Sequence, residues 1–385
     1  MEADRDIAEA KALHAKVIRV DAPWSVLEPS GPQVDQNALA FLDRLTADGS
    51  SSGIRIILDA FNTPCWASSA PASLLGECVS SKKSKANAWP PREPGAFATF
   101  VAFLAQRYGT ELAAIEIWNE PDQANQFYLA GPSKAARYAE ILRAAYPAIK
   151  RVNPNTTVLA GSLVGSNGAF LRALYAAGIK GYYDGLAVHF YNLVLGSLRS
   201  IHETQVANGD NTPLWLDEFG WSSCYPRQHI EQEQACVTPQ VQAQNITNTF
   251  RSLARTPYIA AELPYQLRSS SREEFGMLSA SGVRKPAFAA LSRALVSPLQ
   301  NPSPVKLKLT IRGNRVLASG SGPVGDYMKL EVFSGAVSRY RSLFTLDRFN
   351  RYSIRLPAVL GTHRLRVRVF QYWAGASKAA TASIR

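Results

Sequence analysis

The chain has 385 residues, 46% of them hydrophobic, and 42 Lys and Arg against 30 Asp and Glu, a net charge of +12. That length exceeds one ordinary domain, and the composition is globular, which excludes disordered and collagen-like classes. No apolar run reaches about 18 residues, so no membrane-spanning helix is expected, and Met1 to Val20 carries Glu2, Asp4, Arg5, Asp6, Glu9 and Lys11 where a signal peptide would be apolar.

In chain order, residues 6–14 read as a helix. Apolar runs at 17–20, 54–60, 113–118, 157–160, 184–191, 214–219 and 259–266 read as strands. Helical spacing appears between them: residues 97–108 place apolar side chains at 97, 100, 101 and 104, residues 133–151 and 238–255 behave similarly, and residues 168–178 stop at a glycine. Strands alternating with helices over the first 300 residues imply parallel βα units. Pro298, Pro302 and Pro304 then mark a linker. Beyond it Val305, Leu307, Leu309 and Ile311 alternate with Lys306, Lys308, Thr310 and Arg312, and Leu365, Val367 and Val369 alternate with Arg364, Arg366 and Arg368. This period of two predicts a small antiparallel β-sandwich at 303–385, after a first domain at 1–300.

The charge is unevenly placed. From Ser303 onward there are 15 Lys and Arg and three acids, so this region carries the whole +12. Its basic stripe is either the solvated face of a sheet or a surface for an acidic polysaccharide. Nucleic acid is not expected, because no recognition motif accompanies the charge. The four cysteines form two local pairs, Cys65 with Cys78 and Cys224 with Cys236, each bracketing a predicted loop. Two disulfides in an oxidising, extracellular or cell-surface compartment are expected; four free thiols are the alternative. No Cys or His cluster of metal-ligand spacing is present.

Two strand ends carry the chemistry. Ile115-Glu116-Ile117-Trp118-Asn119-Glu120-Pro121 is a short apolar strand that Pro121 stops, because proline has no N–H to continue the ladder. Leu214-Trp215-Leu216-Asp217-Glu218-Phe219-Gly220-Trp221 repeats the pattern, again ending in a glutamate. Two carboxylates on two strand tips suffice for glycosidic bond hydrolysis without a cofactor. Tryptophans beside them offer faces on which sugar rings stack.

Trp118-Asn119-Glu120-Pro121 resembles the acid/base motif after strand four of clan A glycoside hydrolases, and Glu218-Phe219-Gly220-Trp221 resembles their strand-seven nucleophile motif. Val17-Ile18-Arg19-Val20 with Trp24 is similar to strand two and its site arginine, Val188-His189-Phe190-Tyr191 to the strand-six motif, and Phe275-Gly276-Met277-Leu278 with Lys285-Pro286-Ala287 to the segment after strand eight. The resemblance covers residues 7–296 and is nearest to families 39 and 5. It implies a (β/α)8 barrel and a retaining glycosidase. Residues 6–14 then match the helix after strand one, strand one itself is missing, and an open barrel seam and a truncated or mature chain are expected.

On this reading Glu218 attacks the anomeric carbon and Glu120 is acid, then base. Arg19 keeps Glu218 ionised, Asn119 bonds the sugar 2-hydroxyl, Tyr191 orients Glu218, and His189 lines the cleft. Trp24, Trp66, Trp89, Trp118, Trp221 and Tyr265 are candidate sugar platforms, Tyr265 standing where related enzymes carry a tryptophan. The alternatives are a non-catalytic glycan-binding protein on a degenerate barrel, and a transglycosylase.

Overall fold

All seven apolar runs form strands of one sheet: β1 (Val17–Asp21), β2 (Arg55–Ala60), β3 (Leu112–Ile117), β4 (Val158–Leu163), β5 (Gly185–His189), β6 (Leu214–Phe219) and β7 (Ile259–Pro264). They lie side by side in sequence order and are parallel, a nearly closed barrel of the expected class. The computed structural model describes residues 2–78, 84–191, 193–227, 230–231, 234–298, 300–360, 364–371 and 379–384. Parts of the 62–94 and 221–239 loops fall outside these. Among the described residues no helix is long and apolar enough to cross a membrane.

Register builds the top of the barrel. Asp21 pairs with Asp59, and Asp59 pairs with Glu116, so three acids stand in one row at the C-terminal ends of β1, β2 and β3. His189 pairs with Glu218 across β5 and β6. Strands β3, β4 and β5 are buried at every position, as expected of parallel strands covered on both faces. The edge strands β1 and β7 are mostly half-buried instead. Gly161 on β4 has φ +129, and a Cβ there would stand 2.5 Å from the Ala187 carbonyl oxygen, so only glycine lets β4 and β5 approach.

Helices occupy the connections, at Glu2–Ala12, Gln36–Ser51, Pro94–Tyr108, Lys134–Val152, Ala169–Ala176, Val194–Ala207, Pro239–Leu253 and Pro286–Val296. Gln36–Ser51 starts where the Asp35 carboxylate accepts from the Asn37 and Ala38 N–H groups. Pro94–Tyr108 buries Phe97, Phe100, Val101 and Leu104, the helical face read from sequence. Phe97 and Phe100 pack against Trp24 at ring separations of 5.6 and 5.9 Å.

The C-terminal region is all-β. A three-stranded antiparallel sheet joins β8 (Lys306–Arg312), β9 (Arg315–Ser321) and β12 (Arg351–Arg355). A four-stranded sheet joins β11 (Val337–Thr345), β10 (Tyr327–Ser334), β13 (Leu365–Gln371) and β14 (Ala380–Ser383). Their inner faces share one core that includes Val316, Ala318, Met328, Leu330, Val332, Val367 and Val369. Arg364, Arg366 and Arg368 are exposed, so the basic alternation is the outer face of β13 and its approach.

The chain divides into two compact units. One comprises Met1–His189, Ser200–Glu218 and Tyr258–Leu263; the other comprises Phe190–Arg199, Phe219–Pro257 and Pro264–Arg385. The four cysteines form the expected disulfides, Cys65–Cys78 and Cys224–Cys236.

Candidate active site

The end of β3 is an abrupt turn. Trp118 and Glu120 have φ of +74 and +45, in the left-handed region that non-glycine residues rarely enter. Such backbone persists only where neighbours hold it. The Tyr138 hydroxyl donates to the Ile117 carbonyl at 2.6 Å and accepts from the Gly161 N–H at 2.6 Å, tying β3 to β4 at the turn. Asp122 accepts from the Val164 and Gly165 N–H groups at 3.0 and 2.8 Å and fixes the chain beyond it. The turn directs Glu120, 7% exposed, toward the other strand ends.

Glu120 and Glu218 meet at His189. The Nδ1 atom of His189 lies 2.8 Å from Oε1 of Glu120 and 3.4 Å from Oε2 of Glu218. One carboxylate oxygen of each glutamate and the ring nitrogen all lie within 4.8 Å of one another. Burial alone would lower the His189 pKa, but the Glu218 charge and the Glu120 hydrogen bond outweigh it and raise it. Gln123 donates its side-chain amide to Glu120 Oε2.

Arg19 organises the other side. Its guanidinium donates to Glu218 Oε1 at 3.0 Å, Glu116 Oε2 at 2.6 Å, Asp59 Oδ2 at 2.9 Å and Asn119 Oδ1 at 2.8 Å. Burial opposes this charge, yet Glu116, Asp59 and Glu218 hold the Arg19 pKa well above its ordinary value. Asn119 Oδ1 also accepts from the Ser162 hydroxyl at 3.2 Å.

Beneath the glutamates lies a buried acid layer of Asp59, Glu116 and Asp217. Burial pushes Asp59 and Asp217 well above the usual carboxylate range, while Arg19 outweighs burial at Glu116 and keeps it below. The Asp217 oxygens meet no strong donor: Arg19 Nε stands 3.4 Å away and His189 Nε2 3.6 Å. The neighbouring Glu116 charge adds to burial in raising the Asp217 pKa. The sets Glu116–His189–Asp217 and Glu120–His189–Glu218 are close enough to surround a cation, but the Arg19 guanidinium already contacts Glu116, Asp217 and Glu218, and we assign no metal there.

The candidate residues separate by burial. Arg19, Asn119, Glu120, His189 and Glu218 converge. Trp24 and Trp118 have no exposed surface and so no face for a sugar. Trp24 donates to Glu28 and packs against Trp66 and Phe97, and Trp118 donates to the Tyr128 carbonyl and packs against Phe97, so both are core residues. Trp66 and Trp89 are half-buried. Tyr191, Tyr265 and Phe275 form an edge-on cluster at 5.4–5.8 Å, and Trp221 is buried against Phe219. A cavity of about 400 Å³ opens beside the loop after β3 rather than over the carboxylates, and Gln123 borders it.

Asp59, Glu116, Gln123, Tyr128 and Asp217 were not singled out from sequence. For three of them a signal existed: an acid inside an apolar strand, as in Ile56-Ile57-Leu58-Asp59-Ala60, must be paired or neutralised when buried.

The sequence profile of the cellulase family, glycosyl hydrolase family 5, matches residues 2–253. The chain belongs to glycosyl hydrolase family 5. This family 5 member is therefore a glycoside hydrolase, with carbohydrate as its substrate class. No curated protein matches it. Among solved structures, a family 39 glycoside hydrolase from Bacteroides cellulosilyticus WH2 has a TM-score of 0.60 at 16% identity, over 91% of this chain and 78% of that one. A monomeric β-xylosidase from Caulobacter crescentus CB15 has a TM-score of 0.56 at 16% identity, over 92% and 90%. A glucosidase from Croceicoccus marinus has 0.59 at 10% identity, over 91% and 88%. At these identities the likeness is one of fold.

Proposed function

We propose that this protein is a retaining β-glycosidase, with Glu218 as nucleophile and Glu120 as acid and then base. The carrying observation is the approach of both carboxylates to His189, their oxygens within 4.8 Å. Carboxyls about 5–5.5 Å apart favour direct attack, because an inverting enzyme needs room for a water between them.

In the first step Glu218 attacks the anomeric carbon as the glycosidic bond breaks, and Glu120 gives its proton to the departing oxygen. In the second, Glu120 takes a proton from water, the water oxygen bonds the anomeric carbon, and Glu218 leaves as carboxylate. Arg19, 3.0 Å from Glu218, stabilises the carboxylate both before attack and on release. Asn119, its oxygen held by Arg19 and Ser162, turns its amide N–H toward the sugar 2-hydroxyl. Trp66, Tyr191, Trp221 and Tyr265 remain the proposed substrate-binding aromatics. The fold neighbours include a β-xylosidase and a glucosidase, so β-xylosides and β-glucosides are the first classes to test.

We assign the chemistry to residues 1–300 and an accessory role to 303–385, whose exposed arginines suit an acidic polysaccharide. The two disulfides favour an extracellular or cell-surface location.

The deciding experiment is trapping with 2-deoxy-2-fluoro-β-glucosyl and β-xylosyl fluorides, followed by peptide mass spectrometry. The expected result is a glycosyl adduct on the peptide containing Glu218. An adduct on another residue, or products of inverted anomeric configuration by NMR, overturns the assignment.

A further inference from the structure

The loop that follows Glu120 carries an aromatic pair that the chemistry above leaves unused. Phe127 is 69% exposed, the most exposed large apolar side chain of the described residues. Single exposed apolar residues are ordinary on protein surfaces. The neighbour of this one is not. Tyr128 packs edge-on to Phe127, with ring centroids 4.7 Å apart and planes at 89°. Burial, and then the charges of Glu120 and Glu218, hold the Tyr128 hydroxyl above its ordinary pKa. Phe61, the residue after β2, and Trp118, the residue after β3, both contact Tyr128, so the pair sits at the C-terminal ends of these strands and Phe127 carries its aromatic surface into solvent.

The loop is held in place. Lys134 Nζ donates to the Gln123 and Asn125 carbonyls at 2.6 and 2.9 Å. The Asn125 side chain donates to Gln123 Oε1 at 2.7 Å and accepts from the Phe127 N–H at 2.9 Å. Trp118 Nε1 donates to the Tyr128 carbonyl at 3.0 Å, and Phe61 packs on the Tyr128 ring at 6.3 Å. An exposed phenyl ring presented on an anchored backbone loses little freedom when it meets a ligand. Gln123, Asn125 and Gln126 precede Phe127 on the same loop, and an exposed aromatic face is what the apolar face of a sugar ring stacks on.

We propose that Phe127 and Tyr128 form the leaving-group subsite, with Phe127 as the platform for the sugar released in the first step. The acid side of the site must hold that sugar, since Glu120 protonates its oxygen, and the aromatic pair lies on the chain that continues from Glu120. This inference rests on the reading of Glu120 as the acid, and it makes the preferred substrate an oligosaccharide or a sugar-linked glycoside rather than a glycoside of a small alcohol.

The test uses the full chain. Cellotetraose and xylotetraose are titrated by calorimetry into Glu218→Gln, then into Glu218→Gln with Phe127→Ala or Phe127→Trp. Phe127→Ala is expected to weaken the tetrasaccharide that binds by about tenfold or more, and Phe127→Trp to keep its affinity. Equal affinity in all three proteins, or no binding of either tetrasaccharide by Glu218→Gln, overturns the subsite. In the otherwise wild-type chain, Phe127→Ala is expected to lower kcat/KM at least about tenfold more for the tetrasaccharide than for the corresponding β-glycosyl fluoride, whose leaving group has no ring. Losses of equal size on both also overturn it. A wild-type chain inert toward both fluorides counts against the glycosidase roles of Glu120 and Glu218, and calorimetry still decides the subsite.

Discussion

Arg19 reaches across 199 positions of sequence to place its Nη1 atom 3.0 Å from Oε1 of Glu218. The same guanidinium also holds Glu116, Asp59 and Asn119, so one side chain sets the charge of the nucleophile and the shape of the acid layer below it.

Arg19→Met leaves several buried acids without their cation. Breaking a buried ion pair from one side costs about 3–5 kcal/mol, so the variant should melt well below the parent. Arg19→Lys restores charge but not the fork of donors, and should fold while turning over about a hundredfold more slowly. Thermal melts and kcat measurements separate these outcomes; Arg19→Lys at wild-type rate would remove Arg19 from the mechanism.

His189 stands between two carboxylates, and its pKa is raised. A histidine with a raised folded pKa stabilises fully below its ordinary value of 6.5 and loses that contribution as pH rises through the folded value. Wild type should therefore lose more melting temperature than His189→Gln between about pH 6 and about pH 9. Parallel pH profiles for the two proteins would show that the imidazolium contributes nothing.

Asp217 has the opposite chemistry and the same sign. Burial raises its pKa, so the folded chain holds a proton that the unfolded chain releases from about pH 4 upward. Asp217→Asn keeps a neutral side chain at this buried position and removes the cost of ionisation. Its stability gain over wild type should grow from about pH 4 to about pH 8. A gain that is flat with pH would mean that Asp217 is ionised in the fold.

The Cys65–Cys78 disulfide closes a short loop after β2. Replacing both cysteines by serine should cost about 3 kcal/mol, from the restored freedom of the unfolded chain. Denaturant midpoints would measure it, and an unchanged midpoint in the double variant counts against a structural role.

Single glutamate substitutions give the plainest kinetic test. Glu120→Gln and Glu218→Gln should each lower turnover by about a hundredfold to ten-thousandfold or more with melting temperature little changed. Near-parental turnover in either would withdraw that residue.

Much of the fold was legible because its signals are local. Seven apolar runs separated by helical spacing become seven parallel strands, and the two-residue alternation after Pro304 becomes the β-sandwich. The helices Gln36–Ser51 and Val194–Ala207 were not read from sequence, although Leu39, Leu42 and Leu45 behind the Asp35 cap carry a helical spacing. Trp24 and Trp118 illustrate the limit. A tryptophan beside a catalytic motif reads as a sugar platform, but its ring can turn inward, and the Phe97 and Phe100 face of a helix some seventy residues from Trp24 receives it.

The sequence alone determined that two strands stop beside Glu120 and Glu218; the glycine after Phe219 marks the end of β6, whereas β3 already ends at Ile117, where Trp118 turns to positive φ, ahead of Pro121. It also determined which cysteines are near neighbours, because each pair is separated by only 13 or 12 positions. The tertiary structure decided what those residues meet. His189 joins Glu120 to Glu218, Arg19 joins Glu218 to Glu116, and Asp217 falls into a layer where its charge is suppressed. Strand signals depend on a few successive side chains, whereas charge state and contact depend on groups that the barrel brings together from distant parts of the chain.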